Sequence, residues 1–194
     1  FNIAQSYAAL SKKVILIGAD LRNPQLHNRL EIEREGTGLS TYLSNPEAAE
    51  LNKLITTREN DNVHYLLSGA IPPNPSELFA RPALGNLIER FKQHYDVIII
   101  DSAPLMLVSD TSPILPLADV ILYVSRAQYT DKNVFPFIKD LQKRKNMPPL
   151  ALVLNGIIAG PASYYKYGYA YRYSYNYKYN YGYGYGYGAE KSDS

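Results

Sequence analysis

The chain has 194 residues, 46% of them apolar and 20% charged, with a formal net charge of +2, enough for one domain with a sizeable core. So small a net charge gives no field that would mark the whole chain as a nucleic-acid binder. The absence of cysteine excludes a disulfide scaffold and thiolate-ligated zinc or iron–sulfur sites, and no apolar run approaches the ~20 residues that a membrane-crossing helix needs.

Phe1, Ile3, Ala4, Tyr7, Ala8 and Leu10 recur near helical spacing, which predicts a helix over residues 1–11. Because the first residue is Phe1 rather than Met, that helix is expected to have lost its beginning. Val14-Ile15-Leu16-Ile17 is a β-branched apolar run ended by Gly18 and predicts a buried strand. Val63 to Leu67 predicts a second strand, ended by Ser68-Gly69. Pro72-Pro73-Asn74-Pro75 must be a loop. Ser76 is then expected to cap a helix running to about Gln93, broken or kinked at Pro82, with Leu78, Phe79, Leu84, Leu87, Ile88 and Phe91 as its inner stripe. Val97 to Ile100, Val120 to Val124 and Leu150 to Leu154 predict three more strands, and residues 131–145 a helix whose first turns Pro136 opposes. The strands are continuous apolar runs separated by helices, the pattern of a parallel sheet covered on both faces. The expected fold is α/β, a three-layer doubly wound, mostly parallel sheet.

The abnormal quantity is tyrosine, 19 residues with no tryptophan. Six tyrosines lie in the body. The others are Tyr164, Tyr165, Tyr167, Tyr169, Tyr171, Tyr173, Tyr175, Tyr177, Tyr179, Tyr181, Tyr183, Tyr185 and Tyr187, 13 in 24 positions. This divides the chain into a globular body, 1–160, and a low-complexity tail, 161–194. Four glycines near its end and the lack of an apolar face predict a disordered tail. An alternative is an RNA-stacking segment, but Lys166, Arg172 and Lys178 are sparse, and no nucleic-acid partner is expected.

In a doubly wound sheet, ligands bind at the carboxyl ends of the strands. Two strands here run directly into acid: Val14 to Ile17 leads through Gly18-Ala19 to Asp20, and Val97 to Ile100 leads to Asp101. A carboxylate fixed there can hold Mg²⁺ beside phosphates. An Asp after a strand also caps turns, and for one such residue the two readings are balanced; two of them in one sheet favour a shared site. Arg22 could face the same edge, its alternative being a surface ion pair worth little. The histidines, His27, His64 and His94, are scattered and support no metal site.

At these residues the sequence resembles the bacterial tyrosine kinases of capsule and exopolysaccharide biosynthesis, which are P-loop NTPases with deviant Walker motifs. Val14–Pro24 resembles their second Walker motif, Walker A-prime. Tyr95–Pro104 resembles Walker B, and Ser68–Leu78 resembles another landmark between them. Leu152-Val153-Leu154-Asn155-Gly156 resembles the strand end whose Asn contacts adenine in related ATPases. The landmarks occur in family order across residues 12–156, followed by the tyrosine-rich ending.

The resemblance implies a kinase that transfers the ATP γ-phosphate to its own C-terminal tyrosines and regulates polysaccharide synthesis and export. Asp101 and Asp20 would hold Mg²⁺, Arg22 would join them in catalysis, and Asn155 would touch adenine, although Asn155 reads equally as a turn residue before Gly156. The implied partners are further copies of the chain in a ring, the tail of one subunit entering the site of another, a membrane co-polymerase domain fused upstream or separate, and a protein-tyrosine phosphatase. The implied location is the cytoplasmic face of the bacterial inner membrane. Two departures stand out. Many members have an aspartate, the proposed base for the incoming tyrosine, where this chain has Gly18. The phosphate loop G-x-x-x-x-G-K-[ST] is also absent from residues 1–194, which predicts that this stretch alone binds ATP weakly and is inactive. The alternatives are a partitioning or division-site ATPase of the same fold class, and a non-catalytic regulator phosphorylated by another kinase.

Overall fold

The computed structural model describes residues 1–33, 36–59, 61–106 and 108–157. Helix α1, Asn2–Ala9, leads into strand β1, Val14–Ala19, and the short helices α2, Leu26–Leu30, α3, Leu39–Ser44, and α4, Leu51–Leu54, follow. Strands β2, Ile55–Thr56, and β3, Val63–Leu66, precede helices α5, Pro75–Ala80, and α6, Ala83–Lys92. Strand β4, Val97–Ser102, then strand β5, Ile121–Arg126, helix α7, Val134–Gln142, and strand β6, Leu150–Asn155, complete the order. The tyrosine-rich tail and the body–tail boundary expected near residue 160 lie outside the described residues.

Burial explains why the β-branched runs become strands. Every residue of β1 is buried, and such a strand needs neighbours on both edges and helices on both faces. It pairs in parallel with β3 on one side and β4 on the other, while β2 joins β3 antiparallel, giving the order β2-β3-β1-β4. Side chains alternate between the faces. Val14 and Leu16 pack with Ala4, Ala8, Leu26 and Leu30 of α1 and α2, whereas Ile15 and Ile17 pack with Leu39, Leu78, Leu84 and Leu87 of α3, α5 and α6. The result is three layers. Lys13 aligns the starts of β1 and β4: its N–H donates to Asp96 Oδ2 at 2.8 Å, and its carbonyl accepts from the N–H groups of Asp96 and Val97 at 2.9 and 3.2 Å.

Several expectations change. The five parallel strands do not form one sheet among the described residues: β5 and β6 make a separate parallel pair. Having one ladder partner each, they leave Leu122, Val124, Leu152 and Leu154 exposed, and the apolar residues of β4 are only half-buried. In α1 only part of the periodic set faces inward. Ala4 and Ala8 are buried, while Ile3, Tyr7 and Leu10 are exposed. The helix after the proline loop divides at Arg81-Pro82, as Pro82 requires, and its six anticipated core residues are all buried. Ser76 is not its cap. Pro75 opens the helix after Asn74, a position where its missing N–H costs nothing. No helix among the described residues is long and apolar enough to cross a membrane.

Two loops lock against each other at the carboxyl edge of β3. Leu39 and Ser40 donate backbone N–H groups to Leu67 and Ser68 oxygens at 2.7 and 3.0 Å, and Ala70 donates to Gly36 O at 3.0 Å. The approach demands two glycines. A Cβ on Gly38 would stand 2.5 Å from the Gly69 nitrogen, and Gly69, at φ +73°, would bring its own Cβ to 2.8 Å from the Gly38 nitrogen. Gly38→Ala is therefore expected to lower the unfolding free energy by about 1–3 kcal/mol. Gly85→Ala, inside α6 with the nearest atom 3.8 Å from the new Cβ, is expected to raise it by about 1 kcal/mol. Urea denaturation of the two variants checks both signs.

Candidate functional site

The register of β1 against β4 builds the site. Gly18 is the Cα partner of Asp101, and Ala19 that of Ser102. In a parallel pair such partners present their side chains to the same face, so Asp101 continues the row of Val97 and Ile99, the face covered by α1 and α2. Asp20 follows Gly18 by two residues, immediately past the end of the neighbouring strand β1. The two carboxylates named from the sequence thus sit at one edge of one sheet.

Their surroundings differ. Asp20 is buried, and its Oδ1 accepts the N–H groups of Arg22 at 3.1 Å and Asn23 at 2.9 Å. Asp20 therefore has the turn-capping role, while a carboxylate has roughly four lone-pair sites to share. Asp101 keeps contact with solvent, yet protein crowds its other sides. That loss of solvation pushes its carboxyl above the usual carboxylate range, opposed by the amino group of Phe1 where α1 begins and reinforced by the charge of Asp20.

Arg22 forms its side-chain pair not at the surface but with Asp110, whose side chain is 4% exposed. Its Nε donates to Asp110 Oδ2 and its Nη2 to Oδ1 at 3.1 Å. The Ser76 hydroxyl also donates to Asp110 Oδ1. Burial alone would raise this carboxyl, but the hydrogen bonds from Arg22 and Ser76 and the guanidinium charge hold it below its ordinary value. Asp110 did not stand out in the sequence, and Ser76 did so only as a helix cap. They lie 88 and 54 positions from Arg22, and no periodicity links segments so far apart.

At Gly18 a side chain would fit only tightly. A Cβ there would lie 3.0 Å from Ser68 Oγ, and that hydroxyl donates to Gly18 O at 2.9 Å. Asn155 ends β6, in the other sheet, paired with Arg126. Its Oδ1 accepts the N–H of Gly156 at 2.8 Å, and Gly156 has φ +71°, so the turn role is present; among the described residues Asn155 shares no hydrogen bond with the Asp20–Asp101 edge. The tail tyrosines lie outside the described residues.

Among the described residues no group of three or more His, Asp or Glu is arranged to hold a metal ion. The edge nonetheless fits a cation carrying anionic oxygens. Two carboxylates there repel each other. Beside them Asn23, anchored to Asp20 through its N–H, has a buried Nδ2 with no acceptor, and an orphaned buried donor is costly until an acceptor arrives.

Three comparisons bear on the chain. No protein-family model matches it. It is 30% identical over 167 residues to tyrosine-protein kinase CpsD of Streptococcus agalactiae, covering 86% of this chain and 72% of that protein. It is 35% identical over 167 residues to tyrosine-protein kinase etk of Escherichia coli strain K12, but spans only 22% of that longer protein. Among solved structures, the kinase domain of Escherichia coli tyrosine kinase ETK superposes with a TM-score of 0.74 at 33% identity, over 86% of this chain and 64% of that one. At 20% identity and a TM-score of 0.58, the Pyrococcus horikoshii septum site-determining protein MinD shares the fold alone.

The raised carboxyl has a consequence for stability. A folded-state pKa above the unfolded value means the folded chain binds the proton more tightly, so Asp101 costs stability as pH rises above the unfolded value, near ~4. Asp101→Asn is expected to have a higher Tm than the parent at pH 7 and the same Tm below pH ~4. A variant that melts lower than the parent at pH 7 would contradict this.

Proposed function

The chain belongs to the bacterial tyrosine-protein kinase family, and from this we propose that its residues carry out ATP-dependent transfer of phosphate to tyrosine within a capsular or exopolysaccharide production system. The observation that carries the reading is the pairing of β1 with β4, which sets Asp20 and Asp101 at one carboxyl edge. In this reading both carboxylates hold Mg²⁺, which when bound neutralises charge on the transferred phosphate. Arg22 offers a guanidinium two residues from Asp20, and Asn155 meets adenine through the amide face that the turn does not use. The likeness to CpsD and ETK supports this assignment; the chain spans about a fifth of the Escherichia coli relative's length, so substrate and partners belong to the proposal.

The acceptors are the tail tyrosines, Tyr164 to Tyr187. At ~3.3 Å per residue, an extended stretch of 24 residues reaches up to ~80 Å, enough to enter the site of a neighbouring copy. Lys166, Arg172 and Lys178 are the only charges over residues 161–188, and each phosphate adds about −1.5 to −2. Two phosphates already cancel the charge of the tail, and several make adjacent tails repel. That supplies a means of loosening a homo-oligomer, which a tyrosine phosphatase would reset. A membrane co-polymerase partner at the inner face of the bacterial membrane completes the proposal.

Gly18 removes the side chain proposed as base in many relatives. A loose phosphoryl-transfer transition state depends more on position and charge than on a strong base, so the reading survives that loss, with Asp20 the carboxylate left on β1's exit.

The test is phosphotyrosine mapping by mass spectrometry on the intact protein incubated with Mg-ATP. The parent should acquire phosphate within Tyr164–Tyr187. Asp20→Asn and Asp101→Asn should each lower the initial rate about 100-fold or more. Release of inorganic phosphate without phosphotyrosine would instead mark a switch ATPase, and phosphorylation unchanged in both variants would mark a substrate of another kinase.

A further inference from the structure

We infer that Asp110, together with Ser76, positions the Arg22 guanidinium at the phosphate-handling edge, so that the segment after β4 and the start of α5 contribute to transfer through Arg22. The inference rests on the kinase reading above. Asp110 and Ser76 are positioning residues, since neither has to touch substrate.

Arg22 is held from both ends. Asp20 Oδ1 accepts its backbone N–H at 3.1 Å, and the Asp110 carboxylate accepts Nε and, at 3.1 Å, Nη2 of its side chain. A fork of two parallel bonds fixes the guanidinium plane as a single contact would not. Ser76 Oγ donates to the same carboxylate, which locks the carboxylate in turn. The fork is chemically specific: a lysine ammonium at position 22 would be a point charge with no plane to align.

Burial separates this pair from an ordinary surface bridge. The Asp110 side chain is 4% exposed and that of Arg22 43%, so the carboxylate is an interior anchor while the arginine extends from it to the solvent-facing edge. An interior carboxylate is costly unless paired, so the guanidinium is drawn to one place. Its side-chain freedom is spent in folding rather than when a phosphate arrives.

The route of the chain ties this anchor to Asp101. From Asp101 the backbone runs through Ala103 to Asp110, and Thr111 Oγ1 donates to Ala103 O at 2.9 Å, fastening that loop. One strand exit thus carries two carboxylates with different tasks: Asp101 at the open edge, Asp110 inside, gripping the arginine that belongs to the neighbouring strand's exit.

The alternative is that the Arg22–Asp110 pair only fastens loops. Intact protein carrying Asp110→Asn, Ser76→Ala, Arg22→Lys, and Asp110→Asn with Arg22→Lys separates the two through kcat, KM for ATP, Tm, and the exchange rate of the Arg22 Nε–H by NMR. Positioning predicts a slowly exchanging Nε–H in the parent and a fast one in Asp110→Asn. It also predicts a kcat lowered about 10- to 100-fold in folded Asp110→Asn and in Arg22→Lys, with little change in KM. The double variant should be no slower than the worse single one. Ser76→Ala, the mildest change, should lower kcat a few-fold and supplies the reading where Asp110→Asn does not fold. Wild-type kcat in a folded Asp110→Asn or Ser76→Ala variant overturns the inference, as does a freely exchanging Nε–H in the parent or a fully additive double variant. The kinase reading fails separately, if Asp101→Asn retains full phosphotyrosine formation, whatever the Arg22 proton does.

Discussion

The parallel ladder between β1 and β4 is the constraint on which the site depends. Because side chains alternate faces, a slip of one residue in that pairing would send Asp101 to the opposite face of the sheet. The complete burial of β1 forbids the slip, since it would turn every apolar side chain of β4 toward the wrong helices. The Lys13–Asp96 contacts at the start of the two strands add a polar stop. The core therefore does more than stabilise the domain: the hydrophobic register of Val14–Ile17 against Val97–Ile100 sets the separation of charges at the far edge.

That edge also bears on Gly18. Its Cα partner is Asp101, so an aspartate at 18 would stand beside Asp101 and two residues from Asp20. It would add a third negative charge to a place where Asp20 already raises the Asp101 carboxyl. In this chain the space is taken by the Ser68 hydroxyl, bonded to the Gly18 carbonyl. Glycine at 18 thus spares Asp101 that added charge and leaves the Ser68 hydroxyl room to bond to the carbonyl of β1. An aspartate there would require that hydroxyl to give way.

What could be read in advance followed from local chemistry. Apolar β-branched runs announced β1 and β4, and acids directly after them announced the two carboxylates, because a strand and its exit are contiguous in sequence. Pro82 announced the break between α5 and α6 for the same reason. Residues 25–56 held too little periodicity to assign, and their helices are four to six residues long. In α1 the periodicity was real but ambiguous. Two stripes one residue apart compete, and the small residues Ala4 and Ala8 face inward because the helix lies close to β1 and β3, leaving Ile3 and Tyr7 outside. Ser76 read as a cap because helix starts favour serine, and it became a tertiary donor because Pro75 had already opened the helix. Asp110 was invisible for a stronger reason: its partners are distant in sequence, and a lone Asp in a loop has no local signature that separates a solvated side chain from a buried anchor.

The two aspartates at the exit of β4 show how such a difference is decided by partners rather than by residue type. Asp110 is buried and compensated by a guanidinium fork and a hydroxyl, which bring its carboxyl below the ordinary range despite burial. Asp101 reaches solvent on one side, yet its carboxyl is raised, because the protein around it strips away much of its solvation and its neighbour Asp20 shares its sign. Asp101 thus keeps an electrostatic cost of a kind that the chain removes from a buried carboxylate nine positions later. Under the kinase reading, the group that would relieve it is the magnesium ion that accompanies ATP. Under that reading, the imbalance that makes Asp101 costly to the fold would favour a cation beside it.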